Sequence, residues 1–436
     1  MHPKYHLAPI KNWCNDPVGF IYYQGQYHLF YQYFPYGCTW GTMHWRHAVS
    51  LDLIHWKDLD IALYPSKKYD ANGCFSGSSL EVDGKMYIYY TSIQYTKPDP
   101  ENIHQNVSGD DFLASQSMLV SHDGFEFDNV NDKHLIIPVF KDKDIGHPTH
   151  TRDPKVWKYN NTYYMVLASK YLDDNNQYQG QLLFYTSLDA KEWTYRNNYR
   201  GIKIGDMWEC PDIFDICGQQ FLIMSPERTE SHGYPSHARI TTCDLDYESL
   251  DLTITNELRL LDYGRDLYAP QTTIDEKGRR IYIGWMRMPV KADGWCGLFI
   301  YPRVIEYQNG HIYTRLHPHV KELFSVNTED FDYQKASHIH TVMQCGDKMT
   351  IGGYVIEYDG CLKVDRSQVF NTDNKDVDLI CQTPQIEECI LDIYVDKYII
   401  EIYINDGYYV ISHVVYDLDN TIESTTPYTI NIAKVD

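Results

Sequence analysis

Asn12-Trp13-Cys14-Asn15-Asp16-Pro17-Val18-Gly19-Phe20 sets one carboxylate between a side-chain amide and a proline, directly ahead of an apolar alternation. From Phe20 to Tyr31 that alternation reads as two strands hinged at Gln24-Gly25-Gln26, because a short glycine-containing break between aromatic runs is a hairpin signal. Alone, an aspartate ahead of a strand is an ordinary turn former. This one gains weight because the layout returns. A polar or small residue, an apolar strand, a tight turn and a second apolar strand recur from Ser76-Gly77 to Ser92 and from Asp153-Pro154 to Ser169. The pattern appears again from Glu209-Cys210-Pro211 to Ser225 and from Ala269-Pro270 to Met286. Each copy has turn residues near its middle: Asp83-Gly84, Asn160-Asn161, Cys217-Gly218 and Lys277-Gly278.

A second element follows the first. Ser50-x-Asp52-x-x-x-Trp56, Ser121-x-Asp123-x-x-x-Phe127 and Ser187-x-Asp189-x-x-x-Trp193 repeat one pattern, and the step from Asp16 to Ser50 equals that from Asp153 to Ser187. Ser-x-Asp reads as a turn capping an outer hairpin, which makes its carboxylate structural, with Trp56 and Trp193 closing the core. Helical periodicity is scarce, so the chain reads as all-β. Five units of about four strands each fit a five-bladed β-propeller over residues 1–315. A linker with a short helix is expected over 316–330, and the alternating strands of 331–436 read as a C-terminal β-sandwich. In a propeller the first strand of each blade lines the central channel. Asp16, Asp153 and Glu209 would then converge on one funnel from different walls.

Composition limits the partners. The 436 residues carry a net charge of −22, which argues against nucleic acid and against anionic membranes. The 39 tyrosines favour strands and offer rings that stack on sugars. Eleven scattered cysteines without a CxxC pair suit reduced thiols, and the N-terminal residues lack the apolar core of a signal peptide, so a cytoplasmic location is expected.

Three acids ringed by Trp13, Trp40, Trp45, Phe75, Trp208 and Trp285 suit glycoside cleavage, which needs one protonated and one ionised carboxyl. Apolar Trp208 and Cys210 should raise the carboxyl pKa of Glu209, as a general acid requires. Asp16, beside Asn15, should stay ionised as the nucleophile. Arg152 should keep Asp153 charged so that both clasp sugar hydroxyls. His44 and His47 lack a third ligand and read as structural, and Cys210 has no partner histidine to activate it. Neither metal nor cofactor is expected.

These blocks resemble glycoside hydrolase family 32, the β-fructofuranosidases. Trp13-Cys14-Asn15-Asp16-Pro17-Val18-Gly19 is similar to the family's W-M-N-D-P-N-G signature. The stretch from Trp40 to Ala48, Phe75-Ser76-Gly77-Ser78, Arg152-Asp153-Pro154, Trp208-Glu209-Cys210-Pro211 and Tyr268-Ala269-Pro270-Gln271 follow in the family's order. The resemblance implies a retaining hydrolase that releases terminal β-fructofuranosyl units from sucrose, sucrose 6-phosphate or short fructo-oligosaccharides. A transfructosylase and a sugar-binding protein without activity are the alternatives. It implies Asp16 as nucleophile, Glu209 as acid/base and Asp153 as stabiliser, with Trp13, Asn15, Gln32, Trp40, Phe75, Ser76, Arg152, Tyr268 and Trp285 around the sugar. Cys14, Val18, Arg46, Thr151 and Leu267 depart from the pattern. Arg46 replaces a glycine, and it either reads a substrate phosphate or pairs with a nearby acid.

Overall fold

The computed structural model describes residues 2–230, 233–370 and 377–434. Among these, five antiparallel sheets succeed one another through the first three quarters of the chain. Their first strands are Asn12–Tyr23, Gly73–Val82, Thr151–Tyr159, Met207–Ile216 and Leu267–Ile274. Each touches the next, and the last touches the first, so the five close a ring around a channel. The short strand Trp295–Cys296 pairs in parallel with Asn12 and Trp13 and fastens the chain's first sheet to its fifth.

The repeats act as local folding instructions. Gln24 and Gly25, Asp83 and Gly84, and Cys217 and Gly218 all have positive φ at both turn positions, the conformation whose twist matches paired strands. Ser50, Ser121 and Ser187 each end a third strand. Asp52 Oδ1 accepts from the backbone N–H groups of Ile54 and His55, and Asp123 and Asp189 do the same for the corresponding residues. These carboxylates are structural. The inner strands are buried along most of their length, whereas the outer strands Lys57–Leu63 and Thr194–Tyr199 are mostly half-buried or exposed. Trp45 packs with Phe30 and Tyr90 between sheets one and two, and Trp208 packs with Tyr164 and Leu182 between sheets three and four. Both indoles belong to these cores instead of the expected aromatic ring around the funnel. Trp56 and Trp193 also pack against hydrophobic clusters.

After a six-residue helix, Pro318–Leu323, two sheets stack as a sandwich. One has six strands and the other five, and Ile339, Leu391, Ile393 and Ile402 meet Met349, Ile351 and Ile356 between them. Strand Phe324–Thr328, inside the expected linker, already pairs with Tyr428–Ala433 of the sandwich. Buried charges join the two domains. Arg303 donates to Glu401 at 2.6 Å and to Asp262 at 2.8 Å, while Arg366 donates to Asp266 at 2.7 Å. No helix among the described residues is long and apolar enough to cross a membrane.

Candidate active site

Each of the five innermost strands breaks register at the same place. The ladder slips between Cys14 and Pro17, Phe75 and Gly77, Glu209 and Asp212, and Tyr268 and Gln271. In the third sheet it slips opposite Asp153-Pro154. Proline cannot donate to a ladder and Gly77 leaves no room for a Cβ, which would lie 1.9 Å from the Tyr89 carbonyl oxygen. The repeated residue before Pro or Gly is therefore a β-bulge, which re-aims a side chain. Asp153, Cys210 and Ala269 occupy these bulges with φ of 65°, 48° and 47°.

Aligning Pro17, Gly77, Pro154, Pro211 and Pro270 sorts the site into two tiers. Asn15, Phe75, Arg152, Glu209 and Tyr268 form one, and Asp16, Ser76, Asp153, Cys210 and Ala269 form the next. Glu209 thus corresponds to Arg152, not to the two aspartates with which the sequence pattern aligned it. Hydrogen bonds join different strands within each tier, and Asn15 bonds Asp16 across the two. Arg152 Nε and Nη2 donate to Glu209 Oε1 at 3.0 and 2.8 Å, and the Tyr268 hydroxyl donates to Glu209 Oε2. In the other tier Ser76 Oγ donates to Asp16 Oδ2 at 2.6 Å, and the Cys210 backbone N–H donates to Asp153 Oδ2 at 2.9 Å. The Cys210 thiol lies between the aspartates, 3.8 Å from Asp16 and 3.7 Å from Asp153. Burial and the three carboxylates keep that thiol protonated, so it is no nucleophile.

A cavity of about 350 Å³ opens over both tiers. It is lined by Asp16, Asp153 and Glu209 and by Trp13, Asn15, Gln32, Trp40, Phe75, Ser76, Arg152, Tyr268 and Trp285. Trp13 Nε1 donates to Asn15 Oδ1 at 2.8 Å and fixes the amide beside Asp16, while Gln32 is held on the Cys74 carbonyl. Trp40 meets Phe75 edge-on at 5.5 Å, and Trp13 meets Trp285 at 5.8 Å. Sequence reasoning missed Tyr95, Phe112, His150, Glu227 and Arg228, which also line the cavity. Glu227 ends the second strand of sheet four, outside the repeated leading motif. No spacing marks it.

The charge arrangement corrects three expectations. Arg152 pairs with Glu209 and Glu227, not with Asp153. Burial works to raise the Glu209 pKa, but Arg152 and the Tyr268 hydroxyl outweigh it and hold the carboxyl below its usual range. Trp208 points away and does not desolvate it. Asp153 is pushed up to about 7, first by burial and then by Glu209, more than Arg152 pulls it down. Glu227 is pushed up to about 7 for the same two reasons. Burial and Glu209 also raise Asp16, against the hydrogen bonds from Ser76 and Asn15, so the amide alone does not keep it ionised. Arg46 lies outside the cavity lining and forms a two-pronged pair with Asp58 at 2.8 and 2.5 Å, the acid pairing offered as the alternative to a phosphate role. His44 is bound to the Thr42 carbonyl and His47 to His28, both without a metal-ligand set.

Comparison with known proteins places this geometry. Residues 6–317 match the profile of the glycosyl hydrolases family 32 N-terminal domain, and 355–430 match that of the family's C-terminal domain. A sucrose-6-phosphate hydrolase of Zymomonas mobilis is 34% identical over 70% of this chain, which spans only 60% of that protein's length. The Escherichia coli sucrose-6-phosphate hydrolase is 31% identical, with 95% of this chain and 89% of that protein covered. The structure of a sucrose-6-phosphate hydrolase from Lactobacillus gasseri superposes with a TM-score of 0.86 at 24% identity, covering 99% and 93% of the two chains, and shares the fold. With both domain profiles in chain order on one propeller and one sandwich, the chain belongs to glycosyl hydrolase family 32.

Proposed function

We propose that this chain is a retaining glycoside hydrolase that releases terminal β-fructofuranosyl units, with sucrose and sucrose 6-phosphate as its substrates. The observation that carries this is the convergence of Asp16, Asp153 and Glu209, from three different strands, on one aromatic-walled cavity. Asp16, aimed by its bulge and steadied by Ser76, attacks the anomeric carbon and forms a fructosyl ester. Glu209 gives its proton to the leaving glycosidic oxygen and later takes one from water. Asp153 binds fructose hydroxyls on the same tier as Asp16.

The proton needs a source, because Arg152 holds Glu209 ionised in the free protein. Asp153, Glu209 and Glu227 interact strongly enough to titrate as one set. A sugar hydroxyl that draws Arg152 donors away from Glu209 raises its pKa and moves the shared proton onto it. All eleven cysteines are free, which agrees with action in a reducing cytoplasm. The test is to measure release from sucrose, sucrose 6-phosphate, kestose and inulin side by side, with the anomer followed by proton NMR. Release of β-fructose from sucrose or its phosphate is expected; no release from any of the four would overturn the assignment.

A further inference from the structure

Two histidines and an aspartate meet on the outer face of the six-stranded sandwich sheet, and none of them lines the catalytic cavity. His338 and His340 flank Ile339, whose side chain is in the sandwich core, so both imidazoles leave the opposite face. Antiparallel pairing sets Asp392 directly across from His340 and Tyr394 across from His338. Asp392 Oδ1 lies 2.8 Å from His338 Nε2 and 3.0 Å from His340 Nδ1. One ligand atom from each of the three residues falls within 4.8 Å of the others. The His338 ring is fixed by stacking on Tyr394 at 4.6 Å. His340 has 44% of its side chain exposed, which leaves an entry path.

We propose that His338, His340 and Asp392 bind a divalent transition ion of the zinc type, tying strand Ser337–Met343 to strand Cys389–Asp396. Two imidazole nitrogens and one carboxylate oxygen suit zinc, cobalt or nickel, whereas calcium and magnesium require mostly oxygen ligands. Tetrahedral ligands at zinc distances stand about 3.3 Å apart, so the two imidazole–carboxylate contacts need open by only a few tenths of an ångström, and the two imidazole nitrogens lie within 4.8 Å of each other. They project from two paired strands, which hold them more firmly than loops would. Water completes the shell. Sequence spacing does not disclose the set, because Asp392 joins the two histidines only through strand register.

The experiment is calorimetric titration of zinc chloride, and separately calcium chloride, into the chelator-stripped full chain at pH 7.5. One zinc per chain and no calcium are expected, with a zinc-dependent rise in Tm. His340→Ala and the near-isosteric Asp392→Asn should each weaken zinc at least tenfold and abolish the Tm rise. Their retained sucrose hydrolysis shows that they are folded. The proposal is overturned if the wild-type chain binds no zinc. It is equally overturned if folded variants bind zinc as tightly as wild type, which would assign the ion to exposed thiols such as Cys217 and Cys345.

Discussion

Arg152 is divided between two carboxylates, Glu209 and Glu227. Glu227 Oε1 lies 3.3 Å from Arg152 Nη2, and its other oxygen accepts from Arg228 at 3.2 Å. A hydrogen bond also links it to Glu209. Protonated, Glu227 donates that bond and holds the Glu209 pKa down; ionised, it competes for Arg152 and adds negative potential, and both effects raise the affinity of Glu209 for its proton. Glu227→Gln removes them, so the alkaline limb of kcat/KM should move to lower pH by on the order of one unit. A pH profile measured on sucrose checks this, and an unmoved limb refutes the coupling. Nine of the twelve site residues named from sequence stand on the five strands whose leading motifs repeat, which made their convergence legible, whereas Gln32 and Trp285 stand on neighbouring strands and Trp40 on a loop. Which charge faces which was not legible, because Arg152 and Glu209 meet across a gap between sheets, and no local signal marks the turn of Trp208 into the core beside Tyr164 and Leu182.

At the scale of elements, the bulge is the device that turns repeated sequence into a site. Pro17, Pro154, Pro211 and Pro270 mark four of the five bulges and Gly77 the other, so the position of the break was written in the chain. The tier of Glu209 was not, since its own bulge residue is Cys210. Gly77→Ala tests the device, because its Cβ would strike the Tyr89 carbonyl oxygen and push the strand off Ser76. Stability should fall by about 1–3 kcal/mol. The hydrogen bond from Ser76 to Asp16 should be lost with it, and kcat should drop more than it does in Ser76→Ala. Denaturant unfolding and steady-state kinetics on the same two variants measure both effects. A Gly77→Ala protein with wild-type kcat would mean that the bulge does not aim Ser76.

For the whole molecule, charges buried between propeller and sandwich tie the two domains together. Asp396 accepts from the backbone of Lys4, Tyr5 and His6, and Glu401 accepts from His6 and Arg303. Burial works against the Glu401 carboxylate, but Arg303 and His6 outweigh it and bring its pKa down to about 2. A depressed carboxyl stabilises the fold above its unfolded pKa of about 4.3, and that stability is lost as pH falls towards about 2. Glu401→Gln should abolish that part of the acid dependence. It should also cost about 3–5 kcal/mol, because it leaves Arg303 buried without a full partner; denaturant melts at pH 7 and pH 3 read both effects. The two-domain architecture was legible from the change in strand pattern after the propeller, whereas this interface joins residues hundreds of positions apart and had no local signal. The propeller carries the candidate site, and the mechanism we propose rests on Asp16 as the group that takes the fructosyl unit. The most direct test is kcat for Asp16→Asn on sucrose and sucrose 6-phosphate, with the thermal transition measured on the same sample. A loss of about four orders of magnitude on both substrates with an unchanged transition is expected, and turnover within tenfold of wild type would contradict the account.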